Sequence, residues 1–378
     1  MAGIFFGTNR DVLAEEPPAF GDTHNTGRPY HYRVGRAEVQ RFGNGWREPD
    51  AAYAFQSAAL FPERPASDTR GALLGSAQAL EQMRKTTRED PRDVLVFLHG
   101  FANTFAMTME RAAELRDQYL SPHTDPDSGA LGERALKPLV FAFSWPSDGV
   151  TAGRAETSGR GRAWAYSSDR EDAETSGLAI ARCAARMFEH LAALSAEARC
   201  AQRVHLVAHS MGNWALRHAV QGIVRLAARD GAPLMRLFDN VFLMAADLED
   251  TALERDAWLA PLHRLARRIH VYHAENDSAL SLSDAKPNQG ARLGHHGPAD
   301  MKKLPDFVSA IDCSGVSWTP ADGLVRHQYY RLAPEVVQDV RQVLAGVPAA
   351  EIANRVAVGS GRYRIRLQTS MRALLDKG

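Results

Sequence analysis

Cysteine is scarce in this chain, and so is an excess of charge of either sign. Cys183, Cys200 and Cys313 are its three cysteines. That odd, widely spaced set argues against a disulfide framework or a zinc cluster and for reduced, buried thiols. Lys plus Arg and Asp plus Glu number 45 each, so no global field draws the chain to nucleic acid or to an anionic membrane. Apolar runs such as Val94 to Leu98 are far too short to cross a bilayer. Met1 to Arg10 has no basic segment followed by an apolar one, so no secretory signal is expected. Metal-ligand spacings and glycine-rich phosphate loops are also missing, and no cofactor is expected. These absences favour a cytoplasmic protein that meets a small molecule, with no nucleic-acid or membrane partner. The oligomeric state is not encoded in any of them.

What is present is ample material for a core. Hydrophobic residues make up 45% of the chain and charged residues 24%, the balance of a folded globular protein. From about residue 92 onward, short apolar runs alternate with segments of helical period, the pattern of a mostly parallel sheet with helices on both faces. Strands are predicted at Val94–Leu98, Leu139–Phe143, Val204–Ala208, Val241–Ala245, Ile269–Tyr272 and Val308–Ile311. Helices are predicted from Phe105 to Tyr119, Asp172 to Ala198, Trp214 to Ala228, Leu253 to Leu265 and Glu335 to Leu344. Residues 1–91 form an N-terminal extension with early strands at Ile4–Phe6 and Tyr30–Val34. Ser121 to Gly129 reads as loop. Two longer polar stretches, 145–171 and 278–306, read as functional loops bordering a pocket. A single domain over 1–350 is therefore expected. A C-terminal segment, 351–378, follows it, in which Arg362 to Leu367 alternates charge and apolar residue like an exposed or edge strand.

The strongest chemical signal is Val204-His205-Leu206-Val207-Ala208-His209-Ser210-Met211-Gly212-Asn213. An apolar strand runs into a small-x-Ser-x-Gly turn and a helix begins at once, which is the pattern of a nucleophile elbow. Small flanking residues are needed because the serine backbone is strained and strand and helix approach closely. Ala208 stands where glycine is usual and keeps the size argument. The plain alternative, a helix N-cap serine, does not require the preceding strand. Upstream, His99-Gly100-Phe101 closes a strand and leads into a helix. There it would shape an oxyanion loop whose donors are the backbone N–H groups of Phe101 and Met211. His99, Gly100, Trp145 and His209 are candidates for the walls of a substrate pocket.

The chain resembles the bacterial α/β hydrolases of the domain-of-unknown-function 900 family. Phe6-Gly7-Thr8-Asn9-Arg10, Val96 to Phe101 and Phe143-Ser144-Trp145-Pro146-Ser147 carry the likeness. It continues through Ala208 to Asn213, Ala245-Ala246-Asp247, Asn276 to Leu280 and Ile311-Asp312, in family order. The resemblance implies an α/β-hydrolase fold and a serine triad, and it names no substrate.

Chain order in such a fold runs Ser, then Asp or Glu, then His. The acid usually follows the strand predicted at Ile269–Tyr272, which favours Asp277. Asp247, one strand earlier, is the competitor, and Glu275 a minor third. His327 is the only histidine beyond Val308–Ile311 and is the expected base, whereas His295 and His296 read as surface or substrate-loop residues. Ser210, His327 and Asp277 would then hydrolyse an acyl substrate, a carboxylic ester above all. Thioesterase, lipase or amidase use of the same triad, and a non-catalytic binding protein on the same scaffold, are the alternatives.

Overall fold

The computed structural model describes residues 2–25, 28–42, 52–63, 74–124, 131–148, 159–193, 202–280, 290–317 and 325–366. The early strands are β1 (Ala2–Thr8), β2 (Arg10–Glu15), β3 (Pro18–His24), β4 (Arg33–Arg41) and β5 (Tyr53–Leu60). Helix α1 (Gly75–Glu89) leads to β6 (Val94–Leu98), α2 (Phe105–Gln118), the hairpin β7 (Ser121–Thr124) and β8 (Leu131–Leu136), and β9 (Leu139–Ser144). Then come α3 (Gly159–Ala193), β10 (Val204–His209), α4 (Gly212–Arg229), β11 (Phe238–Met244), β12 (Ala266–His273) and β13 (Val308–Asp312). The helix Pro334–Leu344 and strands β14 (Arg355–Gly359) and β15 (Arg362–Ile365) close the described chain.

An 11-stranded sheet organises these elements in the order β14-β15-β13-β12-β11-β10-β6-β9-β1-β4-β5. It runs parallel from β15 to β1, with antiparallel pairs only at the two ends. Continuous apolar strands demand cover on both faces, and β9 is buried at every position. Side chains alternate between two cores. Leu98, Phe141, Phe143 and Leu206 face α3 and α4, while Leu95, Phe97, Val140 and Val207 face α2 and Pro334–Leu344. Helices α3 and α4 approach closely because Gly177 and Gly222 carry no Cβ. One at Gly177 would sit 2.4 Å from the His218 Cβ. No helix among the described residues is long and apolar enough to cross a membrane.

Several local expectations are corrected. Helix α3 begins at Gly159, inside the stretch read as loop, because Ala165, Asp169 and Ala173 bury against the fold. Ser121–Thr124 is a strand paired with β8; residues 125–130 lie outside the described residues. Leu253 to Leu265 is mostly a series of i-to-i+3 turns, and only Leu262–Leu265 is helical, following Pro261, which has no N–H to donate. Strand β4 starts at Arg33 rather than Tyr30. The basic C-terminal strand is not an edge. β15 lies between β13 and β14 in the main sheet, and Arg364 pairs with Asp312 at 2.8 Å.

Candidate active site

The turn after β10 sets the geometry. Ser210 has φ +52 and is 7% exposed. Its N–H donates to the Met244 carbonyl at 2.9 Å, and the Asn213 amide donates to the carbonyls of Ala208 and Ser210. Gly212 is required by contact: a Cβ there would lie 2.4 Å from the His99 carbonyl oxygen. Gly100 is the reciprocal case, since a Cβ would come within 2.9 Å of Ser210 Cβ. The loop after β6 therefore rests directly on the serine turn. Neither the Phe101 nor the Met211 N–H has an acceptor among the described residues.

Asp277 and His327 meet at the same end of the sheet. His327 Nδ1 lies 2.6 Å from Asp277 Oδ2, and the other carboxylate oxygen accepts from the N–H groups of Ala279 and Leu280. Asp277 is fully buried. His327 reaches the serine turn through His209. The two rings are 4.7 Å apart, and His209 Nε2 donates to the His327 carbonyl at 3.1 Å. A carbonyl can only accept, so His209 carries its proton on Nε2. Burial first, and the nearby His327 second, hold the His209 pKa well below the ordinary value. His209 is thus a buried prop for the segment that carries His327, not a pocket wall.

Asp247 also adjoins the serine, its N–H 3.3 Å from the Ser210 carbonyl. Its carboxylate, however, accepts from the Tyr166 hydroxyl and lies 3.3 Å from Arg292 Nε. Glu275 is exposed, and its carbonyl accepts from His295 Nε2 at 2.6 Å. His295 is 9% exposed in the short helix Leu293–His296, so it is not a surface-loop residue, whereas His296 is exposed.

His99 and Trp145, expected at a pocket wall, are fully buried and spent on each other. Their rings stack at 4.6 Å, the Trp145 N–H donates to His99 Nε2, and the indole donates to the His99 carbonyl. His99 Nδ1 lies 2.8 Å from the Gly100 carbonyl. Burial, then the Arg10 charge, pushes the His99 pKa down to about 3, so the ring stays neutral. The described parts of the two long loops do reach this end of the sheet. Tyr166 packs 6.1 Å from Phe101, and Gly294 lies against Ala245; residues 149–158 and 281–289 lie outside the described residues.

Backbone strain marks the same place. Among the described residues, the non-glycine positions with positive φ are Ala102, Ser210, Ala245 and Arg326. These adjoin Phe101, form the serine turn, end β11 and precede His327. Such conformations cost on the order of 1–3 kcal/mol each and persist where surrounding structure enforces them. The sequence reading missed Asp169, Tyr166 and the role of Arg10. The Phe6–Arg10 and Phe143–Ser147 segments were visible only as likeness to a family.

A model of one protein family, Alpha/beta hydrolase of unknown function (DUF900), matches residues 76–346. Neither a curated protein nor a solved structure matches the chain.

Proposed function

The chain belongs to the alpha/beta hydrolases of unknown function, DUF900, and within that family we propose that it is a serine hydrolase cleaving carboxylic esters through an acyl-enzyme. Ser210 Oγ attacks the acyl carbon and its proton passes to His327 Nε2. Asp277 fixes the Nδ1–H tautomer and stabilises the imidazolium that forms. The N–H groups of Phe101 and Met211 take the oxyanion. His327 then returns the proton to the departing alcohol, and water deprotonated by His327 releases the acid.

The observation that carries this reading is the pairing of His327 with the buried Asp277 at 2.6 Å, the histidine packing on His209, whose chain neighbour Ser210 is held at φ +52. A carboxylate beside Nδ1 directs the other ring nitrogen toward proton transfer, and a left-handed serine lifts its hydroxyl out of the turn. Esters come first because activated esters are the least demanding acyl donors for this machinery, whereas use on thioesters, lipids or amides would need only a different pocket around the same atoms.

Hydrolysis of a panel of chromogenic esters of rising acyl length tests the reading. Ser210→Ala should lower turnover by about 10⁴ to 10⁶ while leaving the unfolding midpoint unchanged. Undiminished hydrolysis by that variant would refute it.

A further inference from the structure

Two of the segments that stand out in the sequence, Phe6–Arg10 and Phe143–Ser147, take no part in the triad. The structure brings both to one buried point under the loop Gly100–Asn103. Arg10 is 1% exposed, and its guanidinium spans Ser144 Oγ (2.9 Å) and the carbonyls of Gly21 (3.1 Å), Ser147 (3.1 Å) and Asn103 (2.6 Å). Asp169, buried on α3, accepts from the Ala102 N–H at 3.2 Å and from the Ser147 hydroxyl. The Ser147 hydroxyl accepts in turn from the Asn103 N–H at 3.1 Å.

The paired polar groups along this loop are thus held from outside it or by its own asparagine. The Gly100 carbonyl accepts from the Asn103 amide, as does the Phe101 carbonyl. The Ala102 N–H goes to Asp169, the Asn103 N–H to Ser147, and the Asn103 carbonyl to Arg10. Against that pattern the Phe101 N–H has no acceptor among the described residues. Nearly all buried backbone donors in folded proteins are paired, so an N–H left open between residues that are tied down is a placed group; the Gly100 N–H likewise has no acceptor among the described residues. Ala102 is held at φ +57, a conformation that needs such external support.

We infer that Arg10, Ser147 and Asp169 form a positioning cluster that locks the Gly100–Asn103 loop and aims the Phe101 N–H at the oxyanion. This rests on the proposed serine chemistry at Ser210 and adds to it which remote side chains set the oxyanion donor. Asp169 and Ser147 touch no substrate; they act through the backbone of Ala102 and Asn103. Arg10 does the same through the Asn103 carbonyl, and a lysine there could not reach the same acceptors at once.

The test follows a fluorophosphonate reacting with the full chain at rising probe concentration. The Ser210 oxygen bonds to phosphorus, fluoride leaves, and the serine proton passes to His327, while the phosphoryl oxygen occupies the oxyanion position. In Asp169→Ala and in Ser147→Ala the maximal labelling rate should fall by about tenfold or more, with the half-saturating concentration moving less than about threefold. Asp169→Asn, which keeps a carbonyl oxygen for the Ala102 N–H, should regain most of that rate. Ser147→Ala removes only a hydroxyl and keeps the test decisive should Asp169→Ala fail to fold. Labelling of Ser147→Ala and Asp169→Ala at the wild-type maximal rate would overturn the cluster and leave the Ser210 reading standing. A loss seen only in the half-saturating concentration, or shared in full by Asp169→Asn, would overturn it as well. Wild-type protein that takes no label at Ser210 would remove both.

Discussion

Two Asp–His pairs, each built on a buried carboxylate, sit at opposite ends of the same sheet. At the carboxyl end, Asp277 and His327 are 2.6 Å apart; at the amino end, Asp93 and His205 are 3.2 Å apart. The second pair is closed on every side. Asp93 also takes the backbone and guanidinium of Arg203, and His205 Nδ1 accepts from Asn240, which itself accepts from Arg268 and His270. Burial raises the Asp93 carboxyl, but the hydrogen bond from His205 and the charge and backbone N–H of Arg203 outweigh it and hold the pKa below its ordinary value. His205 is 1% exposed, whereas the His327 side chain is 12% exposed and packs on His209, next in the chain to Ser210. All of the positive-φ non-glycine residues of the described chain lie at the His327 end. An Asp–His contact is therefore not a signature of catalysis. Strain, a serine turn at the same end of the sheet and open donors distinguish the pair proposed to work in catalysis from the structural one.

The sharpest way to break this comparison is to neutralise each acid in turn. Asp277→Asn should lower ester turnover by about 10⁴, because the charge that steadies the imidazolium is gone. Asp247→Asn and Asp93→Asn should each stay within about tenfold of wild type, since neither carboxylate faces His327 in the contacts described. Severe loss in Asp247→Asn with near-normal Asp277→Asn would move the acid one strand earlier.

Stability should respond in the reverse order. Asp93→Ala strands His205 and the Arg203 backbone in a closed site and should cost about 3 kcal/mol in urea unfolding. A cost under about 1 kcal/mol would show that the amino-end network is dispensable.

A smaller effect separates the two ends by pH. His99, under the oxyanion loop, has a folded pKa of about 3, below the unfolded value of roughly 6.5. Its neutral burial thus contributes stability that is complete above pH ~6.5 and lost as pH falls toward 3. Near pH 5.5 the loss from this one ring is about 1 kcal/mol, and His99→Gln should flatten the urea midpoint against pH over that window. An unchanged slope would mean that the ring is charged or exposed.

How much of this was readable in the sequence follows from the range of the interactions. The serine turn is local: small residues, an apolar strand and a helix lie within ten positions, and β6, β10 and β13 begin where their apolar runs do. His327 and Asp277 required only chain order. The helical start of α3 at Gly159 was hidden because the glycines and serines there lower helix propensity, and burial of Ala165 and Asp169 decides it. The Arg10 contacts to Asn103 and Ser147 span 93 and 137 residues, and no periodicity encodes such a pairing. His99 and Trp145 were legible as special but not as partners, since stacking between them depends on β6 and β9 being neighbours.

The central claim is that Ser210 is the nucleophile, and locating the bond it forms tests that most directly. Native protein treated with a fluorophosphonate is digested and its peptides are mapped by mass spectrometry. The account predicts one adduct, on the peptide containing Ser210, absent from Ser210→Ala and strongly slowed in His327→Ala. An adduct on a different residue that persists in Ser210→Ala, or no adduct at all on the wild-type protein, would contradict it.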